Sequence, residues 1–292
     1  MSVSDSRITN YDRIADRFDK RYAIYGYDGV RETLQSFLGV TPAVLEVGCG
    51  TGHWLAAVPA RLKPSPCEDD RSAKSPLHDR SAKSPLPHDR SAKALSERWI
   101  LAGIDPSAPM LDRARIAAPS ARLVRARAED LPLRDGTFDR IFCVNALHHF
   151  ADRHRFFAEA RRVLKPGGGL LTIGKDPHAE RDSWWVYDYF EETRAIDRAR
   201  FAAVRTLRGD LTRAGFAWAE SLEADHIEVS HSAAEAVASG VVDKSFTSQL
   251  TVLSDDEFMR GIERLRQADA AAGGELQLVA DFRLYATIGW VS

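Results

Sequence analysis

Residues 43–62 read AVLEVGCGTGHWLAAVPARL, and this stretch decides the fold. Residues 43–47 form a short apolar run of the kind found in buried strands. Three glycines follow at a spacing of two, and residues 53–62 then have the composition of a helix. A strand, a glycine-rich turn and a helix make a ligand-binding βα unit, because glycines let the backbone approach a ligand closely. The stretch therefore predicts an α/β fold with a ligand at this turn.

The spacing of the glycines disfavours two common nucleotide-binding motifs. A dinucleotide fingerprint would have its third glycine where this chain has His53, and no Gly-Lys-Ser/Thr follows to make a P-loop. Glu46 stands two residues before the first glycine, where its carboxylate would repel a pyrophosphate on the helix N-terminus. A negative charge there suits a ligand with an ammonium and a sulfonium group.

A repeat of Asp-Arg-Ser-Ala-Lys follows the glycine turn and begins at Asp70, Asp79 and Asp89. Solenoid repeats need roughly 20 or more residues each, with apolar positions to bury, and these units offer few such positions. We interpret residues 63–96 as an inserted low-complexity loop. It is either a tolerated surface expansion or a segment that binds a partner or is phosphorylated at Ser-Pro.

A second strand is predicted at residues 99–104 and ends at Asp105. Asp105 stands far beyond the glycine turn, but without the inserted loop the gap falls to about 20 residues, where such folds place a ribose-binding acid. A carboxylate there can accept hydrogen bonds from both ribose hydroxyls, and the alternative is an ordinary turn residue. Ser107 is expected to cap a helix over residues 108–117.

Four segments, in this order, resemble motifs of the class I S-adenosylmethionine (SAM)-dependent methyltransferases, especially the branch that acts on small molecules. They are VLEVGCGTG, GIDPSAPMLDRAR, RAEDLPLRDGTFDRIFCVNALHHF and RVLKPGGGLLTIG. The resemblance runs from about Tyr11 to Gly174, with the repeat as an interruption. It implies a doubly wound, Rossmann-like α/β fold with a mostly parallel seven-stranded sheet and an antiparallel C-terminal edge strand.

The resemblance also implies that the cofactor is S-adenosyl-L-methionine. Asp105 would bind the ribose, Met110 would line the adenine side, and the Ala128 backbone would contact adenine. One departure is Arg127, which stands where many relatives carry an acidic residue for the adenine amino group, so cofactor binding would be weaker. The expected cofactor-binding residues are Glu46, Gly48, Cys49, Gly50, Gly52, Asp105, Pro106, Met110, Ala128, Glu129 and Asn145.

The acceptor pocket is harder to locate, because an activated methyl group needs little beyond alignment in a dry site. No catalytic residue is therefore assigned. Candidate pocket residues lie near the N-terminus, after the fourth strand and in an aromatic stretch after the fifth: they are Tyr11, His148, His149, Trp184, Trp185 and Tyr187. The alternatives are a surface helix for the tyrosine near the N-terminus, a capping or packed pair for the histidines, and core or lid packing for the aromatic stretch.

The chain is predicted to contain an N-terminal helical lid segment at residues 1–40 and a methyltransferase domain at residues 41–292. Residues 216–230 and 275–290 alternate as two strands that pair at the antiparallel edge of the sheet. A helical insertion at about residues 231–272 lies between them. These helices would cap the site or mediate a homodimer, and the sequence leaves both open.

Composition excludes several classes of function. The 292 residues have a formal net charge of -2, which offers no broad basic surface to a nucleic acid. Three scattered cysteines without CxxC spacing argue against a disulfide framework or a zinc site, so no metal is expected. No apolar run approaches the roughly 20 residues of a membrane span, and the N-terminus lacks the apolar region of a secretory signal. We therefore expect a cytoplasmic protein.

These observations together predict a SAM-dependent methyltransferase that acts on a small-molecule acceptor by in-line displacement, with no nucleic-acid partner. The main alternative is a non-catalytic protein of the same fold that regulates a partner, a hypothesis motivated by Arg127 and the inserted loop. A nicotinamide-dependent oxidoreductase is a weaker alternative, because Glu46 and His53 disfavour it.

Overall fold

The computed structural model describes residues 19–58 and 100–292, and an eight-stranded sheet runs through its centre. Five strands are parallel: β1 (Ala43–Val47), β2 (Ile100–Asp105), β3 (Arg122–Arg125), β4 (Phe138–Val144) and β5 (Leu164–Gly174). Three more strands are antiparallel: β6 (Ser183–Trp184), β7 (Trp218–Ser232) and β8 (Gln277–Trp290). The sheet order is β3-β2-β1-β4-β5-β8-β6, and β7 pairs with the other side of β8.

This architecture confirms the predicted mostly parallel α/β sheet with an antiparallel C-terminal edge, but the prediction of seven strands was wrong. The additional strand is β6, which has only two residues. Residues 285–290 of β8 pair with β5, whereas Ala280 and Asp281 extend past the end of β5 and pair with β6. The extra strand therefore exists because β8 is longer than the part of β5 that it covers.

Helices cover both faces of the sheet. They are α1 (Lys20–Tyr25), α2 (Asp28–Leu38), α3 (His53–Ala57), α4 (Ala108–Ala117), α5 (Arg153–Val163), α6 (Trp185–Tyr189), α7 (Glu192–Arg200), α8 (Val204–Arg213), α9 (Ala233–Ser239), α10 (Ser248–Thr251) and α11 (Asp255–Ala271). One core cluster joins α2 and α3 with the aromatic residues around Trp184, and the other joins α5 and α8. Within the described ranges, no helix is both long and apolar enough to cross a membrane.

Local signals explain several helix ends. The Ser107 side chain accepts a hydrogen bond from the Met110 N–H at 3.3 Å, so the predicted cap of α4 is confirmed. At the start of α11, Ser254 and Glu257 form a reciprocal capping box. The helices α9, α10 and α11 all lie between β7 and β8, the region where the sequence predicts a helical insertion.

The N-terminal segment packs firmly where it is described. The Val30 N–H donates to Asp225 Oδ2 at 3.1 Å, and Leu34 and Phe37 of the same helix are buried. Helix α2 is thus part of the core on one face of the sheet. The lid role of residues 1–40 stays a prediction, as does the division into domains. Tyr11 and the inserted loop lie outside the described residues.

Candidate active site

The glycine turn joins β1 to α3 in a left-handed backbone. Gly48, Gly50 and Gly52 have φ angles of 76°, 50° and 83°, which side chains rarely tolerate. A Cβ on Gly48 would lie 2.5 Å from the Cβ of Ala146, just beyond β4. Glycine at this position therefore allows the turn to lie directly against the carboxyl end of β4.

Asp105 is attached to this turn by hydrogen bonds. Its Oδ2 accepts from the Gly50 N–H at 2.9 Å, and its Oδ1 accepts from the Ser107 N–H at 2.9 Å. The two residues of the first bond are 55 positions apart in the chain. The structure therefore brings together the glycine turn and the acid that the shortened spacing predicted beside it.

Glu46 is a buried carboxylate at the end of β1. Its residue is 1% exposed, and among the described residues its Oε2 has no hydrogen-bond partner. Burial raises the pKa of this carboxyl well above its usual value, and the negative charge of Asp105 raises it further, against a hydrogen bond from the Leu55 backbone. Two neighbouring acids make this place attractive to a positively charged group.

Helix α1 lies over the glycine turn. The ring of Tyr22 stacks on His53 with 3.6 Å between centroids, and it meets Trp54 edge-on. The Thr51 hydroxyl donates to Asp19 Oδ1 at 2.5 Å, immediately before α1. Burial lowers the pKa of His53 to about 4, so its ring is neutral at pH 7. Sequence reasoning missed Tyr22; the signal available was the aromatic run at residues 22–27.

The adenine-side candidates are less accessible than the sequence suggests. Met110 and Ala128 are both buried. Glu129 Oε1 accepts from the Ala151 N–H at 2.6 Å, and its Oε2 lies 3.4 Å from Arg127 Nε. Both carboxylate oxygens of Glu129, like those of Asp105, thus contact neighbouring groups, but those of Glu129 hold the segment after β4 and the Arg127 side chain rather than the glycine turn.

Three further candidates lie near the strand ends. Pro106 is exposed directly after β2, and its carbonyl accepts from Arg125 Nε at 2.9 Å. Asn145 follows β4 with φ 50°, a conformation that Asn tolerates better than most residues, and its N–H donates to Ile173 O at 2.8 Å. Cys49 is buried, and burial raises the pKa of its thiol, so it is a poor nucleophile.

His148 and His149 form a contacting pair in a 3-10 turn (Leu147–His149) after β4. His148 stacks on Phe201 with 3.9 Å between ring centroids, and its Nε2 lies 3.4 Å from Ser248 Oγ. Burial lowers the pKa of both histidines well below the usual value, so both are neutral at pH 7. The pair is packed, and His148 also lines a cleft.

That cleft lies at the carboxyl ends of β4 and β5 and is called the acceptor cleft below. Its lining includes Lys175 and Arg200, which sequence reasoning missed. The signal for Lys175 was its place immediately after β5, since ligands of open α/β sheets bind beyond the strand ends. The charge of Arg21, on helix α1, adds to burial and to the Arg200 charge in lowering the pKa values of the histidine pair.

The aromatic stretch after β5 is core. Trp184, Trp185 and Tyr187 are buried, and none of them lines the acceptor cleft. The ring of Trp184 covers the Lys175 ammonium, with 3.6 Å between the nitrogen and the ring centroid. The Tyr187 hydroxyl donates to the buried Asp197. These three side chains therefore pack in the core, which is one of the alternatives given above for the aromatic stretch. In residues 19–58 and 100–292, no group of three His, Cys, Asp or Glu is arranged to hold a metal ion.

Comparison with known proteins adds a domain match and several relatives. Residues 88–172 match the family model of a methyltransferase domain. The demethylmenaquinone methyltransferase of Thermotoga maritima is 27% identical over 63% of this chain and 68% of that protein. The ubiquinone/menaquinone biosynthesis C-methyltransferase UbiE of Acidiphilium cryptum is 31% identical over 42% of this chain and 61% of that protein.

Solved structures share the fold across nearly the whole chain. A crystal structure of a SAM-dependent methyltransferase from Thermotoga maritima superposes with a TM-score of 0.52 at 17% identity, covering 97% of this chain and 98% of that chain. Matches to three other curated relatives are shorter. They cover only between 24% and 40% of the length of those proteins.

Proposed function

We propose that this chain, a member of the class I SAM-dependent methyltransferases by its domain match and its fold, transfers a methyl group from SAM to a small-molecule acceptor. The predicted family, its class of enzyme and its SAM cofactor are confirmed at the level of the family. The activity of this chain rests on its own residues. The observation that carries the proposal is the pair of acids, Glu46 and Asp105, on the two sides of the glycine turn.

The residues at the turn fit the parts of SAM. The buried Glu46 carboxylate, with Oε2 unpartnered among the described residues, suits the ammonium of the methionine part. Asp105 suits the ribose hydroxyls, and the glycine turn presents backbone at close range. A pyrophosphate would instead lie beside the Asp105 charge and would oppose ionisation of Glu46, which argues against a nicotinamide cofactor.

Methyl transfer of this kind depends on alignment and on the exclusion of water. The bound cofactor supplies a methyl group already activated by a sulfonium. Tyr22 and His53 close the turn from above, which favours a dry site. Alignment of two reactants accounts for roughly 7 to 11 kcal/mol of a barrier. His148 lines the acceptor cleft, but burial lowers the pKa of its ring well below the usual value, which makes it a weak base, so no residue is assigned as a general base.

A small molecule is supported as the acceptor by the position of the acceptor cleft, since open α/β sheets bind small ligands beyond the carboxyl ends of their strands. A cytoplasmic location stays a prediction, and whether the helices between β7 and β8 cap the site or mediate a homodimer stays open. The non-catalytic alternative gains no support, because the Arg127 side chain is 67% exposed and lies beside Glu129 rather than across the turn.

Binding and turnover test the proposal separately. Isothermal titration of the full chain with S-adenosylhomocysteine (SAH), SAM and NADH is expected to show binding of the first two only. A lysate incubated with the protein and methyl-labelled SAM is then expected to yield a labelled metabolite. NADH binding without SAH binding would contradict the cofactor, and SAH binding without any labelled product would favour the non-catalytic alternative.

A further inference from the structure

The acceptor cleft is lined by positive charge. Its charged side chains are Arg153, Lys175 and Arg200, and within the described residues no carboxylate lines it. Phe201 and Leu207 supply apolar wall. A pocket with apolar walls and cationic polar groups selects ligands that combine a hydrocarbon body with a negative charge.

Arg200, the last residue of α7, has unused hydrogen-bonding capacity at two of its nitrogen atoms. Its side chain is 13% exposed, and its NH2 group donates to Asp197 Oδ1 at 2.7 Å. Its Nε and NH1 atoms have no hydrogen-bond partner among the described residues. Buried guanidinium N–H groups are normally paired. The unpaired groups therefore raise the free energy of the folded protein until a ligand supplies oxygen atoms that accept their hydrogen bonds.

The neighbouring acid cannot satisfy Arg200 alone. Asp197 also accepts from the Tyr187 hydroxyl at 2.7 Å and from Gln249 Nε2 at 3.0 Å. Its negative charge is therefore shared among three donors. This leaves positive potential on the cleft side of Arg200.

The other cations of the cleft each have a carboxylate beside them. Arg153 Nε donates to the buried Asp210 at 2.7 Å. Lys175 Nζ also has no hydrogen-bond partner among the described residues, but it lies 3.6 Å from Asp182 and beneath the ring of Trp184. The Tyr285 hydroxyl, also on the cleft lining, has no partner in the described part of the chain and can donate to an anion. Arg200 is thus the stronger anchor, because its planar guanidinium keeps two unpartnered nitrogen atoms and can donate to both oxygens of a carboxylate.

We propose that the acceptor cleft binds an acceptor that carries a carboxylate, anchored by hydrogen bonds from Arg200. This inference rests on the proposed function, because it takes the cleft as the acceptor pocket. The carboxylate holds the molecule, and an apolar body lies against Phe201. His148 and His149 are neutral, because burial and the nearby Arg200 charge lower their pKa values. The two histidines therefore carry no positive charge of their own for the carboxylate to pair with.

Matched acids and amides test the inference on the SAH-saturated full chain. The probes are benzoate against benzamide and hexanoate against hexanamide, each titrated by saturation-transfer NMR. We expect at least one carboxylate to bind, and to bind at least tenfold more tightly than its amide. Equal binding of acid and amide, or no binding by either acid, would overturn the inference.

Variants then assign the preference to one side chain. Arg200→Gln is expected to weaken carboxylate binding at least tenfold, while Arg200→Lys retains part of it. Arg198→Gln is the control, because Arg198 lies on the same helix, pairs with Glu180 at the surface and does not line the cleft. Equal losses in the Arg200→Gln and Arg198→Gln variants would also overturn the proposal.

The two proposals fail in different ways. SAH titration of the unaltered chain reports on the proposed function, whereas the difference between acid and amide reports on the cleft. Should Arg200→Gln fail to fold, as a melting curve would show, the comparison of acid with amide on the unaltered chain still decides the inference.

Discussion

Glu46 illustrates how a single residue couples cofactor binding to protonation. In the free protein, burial and the Asp105 charge raise the pKa of its carboxyl, so the group holds a proton well above the usual pH range for glutamate. A bound ammonium would favour the ionised carboxylate instead. Binding of SAM or SAH should therefore release a proton from this site.

The first prediction is that SAH affinity rises with pH. Because the bound state holds fewer protons on Glu46 than the free state, affinity increases as pH rises and levels off above the pKa of the free protein. Calorimetry in buffers of different ionisation enthalpy, between about pH 5.5 and 8.5, counts the released protons directly. In Glu46→Gln the proton release should vanish; its persistence there, or an affinity that falls with pH, would contradict this role.

The second prediction concerns Asp105. Asp105→Ala removes the proposed ribose acceptor and the hydrogen bonds to Gly50 and Ser107, so SAH binding should weaken by about 1 kcal/mol or more. Calorimetry measures the loss. Asp112→Ala is the control, because Asp112 is an exposed acid on α4 paired with Arg115. An unchanged affinity in Asp105→Ala would mean that Asp105 is not the ribose ligand.

Much of the cofactor side of the site was predictable at this scale. Strand ends and glycines are local signals, so Glu46 and Asp105 stood out in the sequence. Glu129 looked equivalent, but its carboxylate holds the backbone of Ala151. Arg200 carried no local signal at all, because its meaning depends on Asp197 already being shared with other donors.

Among the elements of the site, the glycine turn packs closely against the residues that follow β4. Gly48 and Gly136 both have positive φ angles, 76° and 58°. A Cβ on Gly48 would collide with Ala146, whereas a Cβ on Gly136 would have nothing within 4 Å. The two positions therefore separate backbone strain from steric crowding.

We predict that Gly48→Ala destabilises the fold by at least roughly 2 kcal/mol and abolishes SAH binding, since strain and overpacking add. Gly136→Ala should cost only about 1 to 2 kcal/mol from strain and leave SAH binding intact. Urea denaturation and calorimetry measure both quantities. Equal effects of the two substitutions would show that crowding at Ala146 does not constrain the turn.

The β1-turn-α3 unit and the two long C-terminal strands were predictable, because apolar runs, glycines and strict alternation act over a few residues. Strand β6 was not, because two residues form a strand only when a neighbour extends past the rest of the sheet. Helix α10 has just four residues, too short to show a helical period.

For the molecule as a whole, the inserted loop is the feature most open to experiment. Strands β1 and β2 pair in continuous register from Ala43 with Ile100 to Val47 with Ile104. The insertion therefore lies, in the chain, between two strands whose pairing is complete. The composition of residues 63–96 offers little to bury, and closing a loop costs little more when it is long.

We predict that replacing residues 65–92 with a short Gly-Ser linker leaves the melting temperature and SAH affinity unchanged. Thermal unfolding and calorimetry on both proteins check this. A chain with a scrambled repeat of the same length is the control for loop length. Loss of SAH binding in the shortened chain, with the fold retained, would place the loop in the site.

The sequence by itself determined the α/β class, the glycine turn and the acid at the end of β2, because each is encoded in consecutive residues or in strand spacing. The tertiary structure alone decided what lies around them. It placed α1 over the turn, packed the aromatic stretch into the core and brought His148, Lys175 and Arg200 to one cleft. The physical reason is that burial and charge balance are collective: a side chain is buried, shared or unpaired only relative to neighbours that are distant in the chain.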